Sequence, residues 1–343
     1  MIKKISMEKF LSTLWNARKT QLVVTLVLFG MWLAFATANP FAFTNIITYG
    51  SWFLVAPLTI IPALSLTYIV ILGQIDLSFP SVMALSAWIL AKAWSGQGPT
   101  IEGVVLALCV GAFAGLLNGI LVTKSGLSSI IATLGTSFFW LGVVDLGSNG
   151  FGISLSPFQN SVPFRVLMSN IMGVPTSIIW SIFVAIVLWV LLNHHVFGAH
   201  LYIIGNNITA ARTLGIKTDR VIVYAYTLHG LVSGFAGILA ALTTGTFYPG
   251  IGQAYLLLSI AAVFIGGTLV TGGVGTIYGS FLGGLILSLI EMGVLSSGFS
   301  GYWTEVIEGV IIVTALLVQW RLILRERRMK LQEPKMTANE AGV

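Results

Sequence analysis

Few residues in this chain are placed to do chemistry. Asp76, Asp145, Glu291, Glu305 and Glu308 fall in or beside apolar segments, where a carboxylate is costly and needs a role. Asp145 and Glu305 lie near segment ends and read as interfacial. Asp76 sits beside Ser78 in a helix-breaking cluster, where capping the following helix is its natural task. Glu291 and Glu308 have no such explanation, and carboxylates at that depth are what an ion-coupled carrier would use. The histidines, His194, His195, His200 and His229, make no metal site by spacing. Cys109 is the only cysteine; it excludes an intrachain disulfide framework and a thiolate cluster, and reads as a small buried residue. Thr123-Lys124-Ser125 lacks the glycine of a phosphate-binding loop and follows no strand, so this chain is expected to hydrolyse no ATP itself. There is no H-E-x-x-H motif and no Ser/His/Asp set with recognisable spacing. No catalytic residue, metal or bound cofactor is expected.

The elements that carry these residues are apolar and long. Of 343 residues, 56% are hydrophobic and 8% charged, against about 25% charged in a soluble domain. Helix-length apolar runs favour an all-α polytopic membrane protein over an outer-membrane barrel. The net charge of +6 is gathered at the termini and in short loops, which is a topology signal and argues against nucleic acid as a partner.

Residues 1–20 carry basic side chains beside an apolar stripe and predict a cytoplasmic amphipathic helix on the anionic leaflet. The transmembrane body spans 21–322, with halves at about 45–147 and 221–322 and a polar loop at 205–220; residues 323–343 are expected to form a basic, disordered cytoplasmic tail. Ala36-Thr37-Ala38 resembles a cleavage site, but the long basic lead favours an uncleaved anchor. Pro57 and Pro62 predict a kinked or tilted span. Gly111, Ala112, Ala114, Gly115 and Gly119 prepare a close helix contact. About ten spans place Lys124, the 205–220 loop and both termini on the cytoplasmic side of a bacterial inner membrane, and the weakly charged 147–175 loop outside. Eight or eleven elements remain open if a broken segment re-enters.

Two breaker clusters interrupt the halves at corresponding places, Gly73–Pro80 and Gly266–Thr276, about 193 residues apart. Irregular backbone at membrane depth lines a cavity or is buried in protein, so paired breaks point to a transport path. Between the halves, Gly205–Arg220 carries Arg212, Lys217 and Arg220 against Asp219. Asn206 or Thr209 would cap a short helix there and Gly215 would end it. On its residues alone it is either a connector held inside by charge or a docking element for a cytoplasmic partner.

Over residues 45–322 the chain resembles the membrane subunits of ribose-type sugar ABC importers, in the wider family that includes branched-chain amino acid permeases. The resemblance rests on GNNITAARTLGIKTDRV from Gly205, on LVSGFAGILAA, on AAVFIGGTLVTGGVGTIYGSFLGGL, and on Ile75-Asp76-Leu77-Ser78, Asn118-Gly119 and Ala132-Thr133-Leu134-Gly135-Thr136. It implies that Asn206, Asn207, Ala210, Arg212, Thr213, Leu214, Gly215 and Ile216 couple to a cytoplasmic ATPase that holds ATP and Mg. It implies a translocation path near Gln74, Asp76, Ser78, Phe79, Asn118, Thr133, Thr136, Thr268 and Thr271. It further implies a second permease subunit, identical or different, and a periplasmic binding protein meeting the 147–175 and 296–302 loops. The cargo would be a small neutral polyol such as a monosaccharide; a nucleoside, signalling molecule or amino acid, and an ion-coupled carrier, are the other readings. Gln74, Phe79-Pro80 and Leu269-Val270-Thr271 depart from the smaller residues of the family pattern.

Overall fold

The computed structural model describes residues 7–314, 317, 320 and 321, with side-chain environments from residue 21 onward. The described part is a helical bundle: α1 (Met7–Ala38), α2 (Pro40–Thr44), α3 (Ile46–Ile71), α4 (Phe79–Gln97), α5 (Ile101–Lys124), α6 (Ser129–Ser148), α7 (Val162–Met168), α8 (Thr176–His194), α9 (Val196–Asn206), α10 (Ile208–Thr213), α11 (Thr218–Thr244), α12 (Tyr255–Ile265) and α13 (Ile277–Ser296), followed by a helix over 301–314, called α14. Among the described residues, seven helices are long and apolar enough to cross a membrane: α1 from Gln21, α3, α5, α6, α8, α11 and α13. The amphipathic start and the first span form one continuous helix from Met7. Residues 1–6 and the 323–343 tail lie outside the described residues.

α3 is the central post. It runs unbroken through Pro57 and Pro62, and every residue from Ala56 to Ile71 is buried. The sequence-based kink is therefore not a break; a helix enclosed by others supplies packing where each proline removes a hydrogen bond. α5 and α11 lie side by side because glycines let their backbones touch. A Cβ at Gly111 would come 2.8 Å from the Gly230 carbonyl oxygen, and one at Gly115 would overlap the Tyr226 carbonyl. Cys109 is on the other side of α5, exposed and not buried as its residue type implied.

The bundle has two distinct ends. At one, the 149–175 loop is structured by α7 and by two short ribbons, Ile153–Ser154 paired with Thr246–Phe247 and Asn170–Ile171 paired with Val174–Pro175. Ser177, just after that loop, donates to the carbonyl of Phe53 at 3.1 Å, so the start of α3 belongs to the same end. At the other end, Lys124 closes α5 and pairs with Asp219 at the start of α11, 3.7 Å apart.

One part of the chain departs from the expected regular spans. Gly252 packs against the backbone of Pro80 at the start of α4, so the 245–254 segment descends from the Thr246–Phe247 ribbon into the bundle. α12 then has 11 residues, about 16 Å at 1.5 Å per residue, half of a hydrocarbon core of about 30 Å. The second half of the molecule thus holds a half-helix bounded by irregular chain on both sides.

Candidate functional site

The two breaker clusters are built alike and touch. Gly73 (φ +75°) and Gly267 (φ +88°) adopt the left-handed conformation at the ends of α3 and α12. In the first, the Gly73 N–H donates to Val70 and Gln74 to Ile69; in the second, Gly267 donates to Phe264 and Thr268 to Val263. This is the same glycine-terminated helix end twice, so the internal repeat seen in the sequence reaches the level of individual hydrogen bonds. The Gly273 N–H then donates to the carbonyl of Ile71 at 2.8 Å, joining the second break to the first.

A third element closes on this joint. Gly205, near the end of α9, has no room for a side chain: a Cβ would overlap the Ile71 carbonyl and lie 2.7 Å from the Gly273 nitrogen. The Tyr202 hydroxyl donates to the Gly275 carbonyl at 2.7 Å, and Asn206 Nδ2 lies 3.5 Å from the Gly273 carbonyl. The sequence pattern ends the preceding apolar segment at Asn193 and gives no sign of α9, which occupies residues expected to be loop. Its apolar residues include Leu201 and Ile204, both buried.

Directly after α9 comes the short polar helix α10. Its cap is Asn207, whose Oδ1 accepts from the Ala210 N–H at 3.0 Å, and not Asn206 or Thr209. Asn206 is instead turned back toward Tyr202 and the second break. Gly215 (φ +79°) ends the helix as expected, donating to Arg212 while Ile216 donates to Ala211. Ala211 is buried, whereas Ile208 and Leu214 are exposed at 40% and 70%. Arg212 Nη2 is 3.5 Å from Asp219, and both side chains are largely exposed, so the pair adds little stability. Ala210, Thr213 and Ile216 complete the short helix and its turn, with Thr213 Oγ1 donating back to Ala210. Leu214, an apolar side chain with a positive neighbour on an open face, is the part most available to another protein.

Of the residues expected along a path, most are fixed inside the protein. Asp76 is 2% exposed; its Oδ1 accepts from the Ser78 N–H at 2.7 Å and from the Ser78 hydroxyl. Asn118 Nδ2 donates to Ser78 Oγ at 2.6 Å, and Thr133 Oγ1 accepts from the Leu77 N–H at 3.0 Å. Ser129 Oγ accepts from Ile75. The first break is therefore pinned to α5 and α6, which supply the partners its irregular backbone lacks. Phe79 is buried with its ring 5.5 Å from His229. Thr268 is buried, Thr136 is half-buried and donates to the Thr133 carbonyl, and the Thr271 carbonyl sits against Gly73. Gln74 Oε1 is buried without a hydrogen-bond partner. None of the nine lines the openings at the two ends of the bundle.

His229 is the residue that spacing alone did not single out. It is fully buried on α11, with Nδ1 2.8 Å from Ser65 Oγ and Nε2 3.8 Å from Asp76 Oδ2. It thereby ties α3 and α11 to the first break.

The two openings differ: the one beside α10 is lined largely by charged side chains, and the one between α3 and α13 mostly by apolar ones with a few hydroxyls and one carboxylate. At the end bearing α10, a space of about 380 Å³ is bordered by Lys124, Arg212, Lys217, Asp219 and Arg220. At the end bearing the 149–175 loop, between α3 and α13, a cavity of about 340 Å³ is lined by Ile47, Thr48, Ser51, Trp52, Ser288 and Glu291, among others. Among the described residues, no group of three or more His, Cys, Asp or Glu is arranged to hold a metal ion.

Comparison with known proteins gives a consistent picture. Residues 48–316 match the family described as branched-chain amino acid transport system / permease component. The ribose import permease RbsC of Escherichia coli (strain K12) is 30% identical over 318 residues, 92% of this chain and 97% of that one. RbsC of Bacillus subtilis (strain 168) is 34% identical over 258 residues, 75% of this chain and 79% of that protein. The autoinducer 2 import system permease LsrC of Yersinia enterocolitica is 31% identical over 308 residues, 90% and 83% of the two chains. No solved structure matches.

Proposed function

This chain belongs to the family of branched-chain amino acid transport system permease components, and from that premise we propose that it is one half of the membrane pore of an ATP-driven importer. It is a transporter component and not an enzyme. A cytoplasmic ATPase subunit hydrolyses ATP and docks on α10; a second permease subunit completes the pore; a periplasmic binding protein delivers the solute at the outer end. The seven long apolar helices are joined by α4, by α14, and by α12 together with the 245–254 segment that descends before it, to give about ten crossings, with both termini in the cytoplasm. Relatives named as ribose permeases support a small neutral polyol as cargo, a monosaccharide above all; the autoinducer 2 relatives keep a signalling molecule as the nearest alternative.

The observation that carries this reading is the joint at Gly205. A partner that moves α10 moves α9, and α9 has no slack against Ile71 and Gly273. Force applied at the docking helix is thus delivered to both breaks at once. The residues expected along the path then act as the moving joint: Asp76, Ser78, Asn118 and Thr133 hold the first break as a unit, so it shifts without unravelling.

Glu291, facing a cavity within a span, supports an ion-coupled carrier as the second reading. Uptake into vesicles holding the assembled complex separates the two. With ATP maintained and proton and sodium gradients collapsed, uptake continues if ATP drives it. Uptake lost with the gradients, and indifferent to ATP, would establish the ion-coupled carrier instead.

A further inference from the structure

In the outer cavity a carboxylate, several hydroxyls and an indole converge within the spans. Thr48, Ser51 and Trp52 come from the first two turns of α3, and Ser288 and Glu291 from the last turns of α13. Trp52 is held in place: its Nε1 donates to Ser288 Oγ at 2.8 Å, and its ring stacks on Phe53 with centroids 5.0 Å apart. Among the described residues Glu291 has no basic group within ion-pair distance, and Tyr255 and Glu308 lie close enough to feel its charge. A carboxylate in the outer half of a span, open to a cavity and without a counter-ion among the described residues, has hydrogen-bond acceptors free for a ligand's donors.

We propose that this cavity is a binding site for a neutral polyhydroxylated solute, with Glu291 accepting hydrogen bonds from a pair of adjacent hydroxyls. Trp52 forms the fixed apolar wall, and Thr48, Ser51 and Ser288 take the remaining polar contacts. The cavity, at about 340 Å³, falls in the range of small-molecule sites, roughly 300–1,000 Å³, and is too wide to strip and cage a bare metal ion. Its wall is mostly apolar, with Ile47, Val55, Met292 and Leu295 beside Trp52 and only a few polar groups, which suits the apolar face and hydroxyl edge of a sugar; an ammonium group would want a second carboxylate on the wall. Its position, at the end bearing the 149–175 loop and on the far side of the bundle from the breaks, makes it the first station for a solute arriving from outside. This proposal rests on the transport reading and names the site where selection occurs. Glu291 is then a specificity-determining residue and not part of the ATP-coupled machinery.

The test uses the full chain in nanodiscs and a panel of pentoses and hexoses, D-ribose first, read by saturation-transfer NMR, with ethanolamine as a cationic competitor. At least one sugar is expected to show saturation, and Glu291→Gln to weaken that binding about tenfold, the loss expected for a hydrogen bond to a charged group. Glu291→Asp should recover part of it, and ethanolamine should not compete. Should Glu291→Gln assemble poorly, Ser288→Ala and Trp52→Phe carry the same expectation in milder form. No sugar binding, unchanged binding in these variants, or displacement by ethanolamine would each overturn the proposal. In the assembled complex, unchanged KM and sugar preference for Glu291→Gln with ATP-driven uptake intact would remove this site and leave the transport reading standing. Absence of ATP-driven uptake in the unaltered complex would remove the transport reading itself.

Discussion

His229 and Asp76 show how residues that touch almost no solvent brace the first break. His229 is buried on α11 between Ser65 on α3 and Asp76 in the first break. Its replacement by alanine leaves the Ser65 hydroxyl and the Asp76 carboxylate without that neighbour. The expected cost is about 1–3 kcal/mol, the penalty for stranding a buried polar group, read as a lower thermal midpoint of the purified chain in detergent. An unchanged midpoint would mean that His229 does not brace the break. Asn118→Ala should act in the same direction, because it removes the donor to Ser78 Oγ. At this scale the sequence was only partly legible. Ile75-Asp76-Leu77-Ser78 stood out as a polar run between apolar segments, and its bonding to Asn118 and Thr133 follows from that run's need for partners. His229 carried no such signal. A single histidine in an apolar stretch has the same local pattern whether it faces lipid, core or a carboxylate, and only the three-dimensional approach of α3 decides. The capping of α10 failed for a related reason: Asn206, Asn207 and Thr209 are all competent caps, and the choice falls on Asn207 because Asn206 is drawn to the second break.

At the scale of elements, the tight pairs are those that glycine spacing marked. Gly111, Gly115 and Gly119 on α5 all meet the α11 backbone. Gly115→Leu forces these helices apart and should destabilise the chain by about 1–3 kcal/mol as over-packing, or prevent its accumulation in the membrane. Gly96→Ala, where nothing lies within 4 Å, should have no such effect and serves as the comparison. α10 invites the opposite kind of change. Arg212 is largely exposed, so Arg212→Glu should leave the thermal midpoint within roughly 0.5 kcal/mol of the parent. Co-purification with the ATPase subunit should nevertheless be lost. Retained co-purification would move the docking surface elsewhere. The half-helix α12 was not legible as such. The Gly/Thr-rich 243–253 stretch has the composition of an outer loop, and its descent to Pro80 depends on Gly252 fitting against a backbone far away in sequence. α9 was hidden for the contrary reason: its 11 residues are too few for a span and sit beside a charged loop, so nothing in a window-by-window reading separates it from connector.

Seen whole, the chain is two related halves whose helix-ending glycines repeat the same hydrogen bonds, joined through one short docking element. The halves meet at Ile71 and Gly273, and the docking end reaches them through Gly205. The cavity proposed to take the solute, with Glu291 and Trp52, lies at the other end. An importer needs this separation, since energy enters from the cytoplasm and cargo from outside. The measurement that bears most directly on it is the ratio of solute uptake to ATP hydrolysis for Gly205→Ala, in vesicles containing the assembled complex. Association with the ATPase should persist, because α10 is unchanged, and hydrolysis should continue, while uptake per ATP falls by at least about tenfold because α9 no longer seats on the two breaks. Uptake per ATP equal to that of the parent would contradict the joint at Gly205 as the route by which docking reaches the pore.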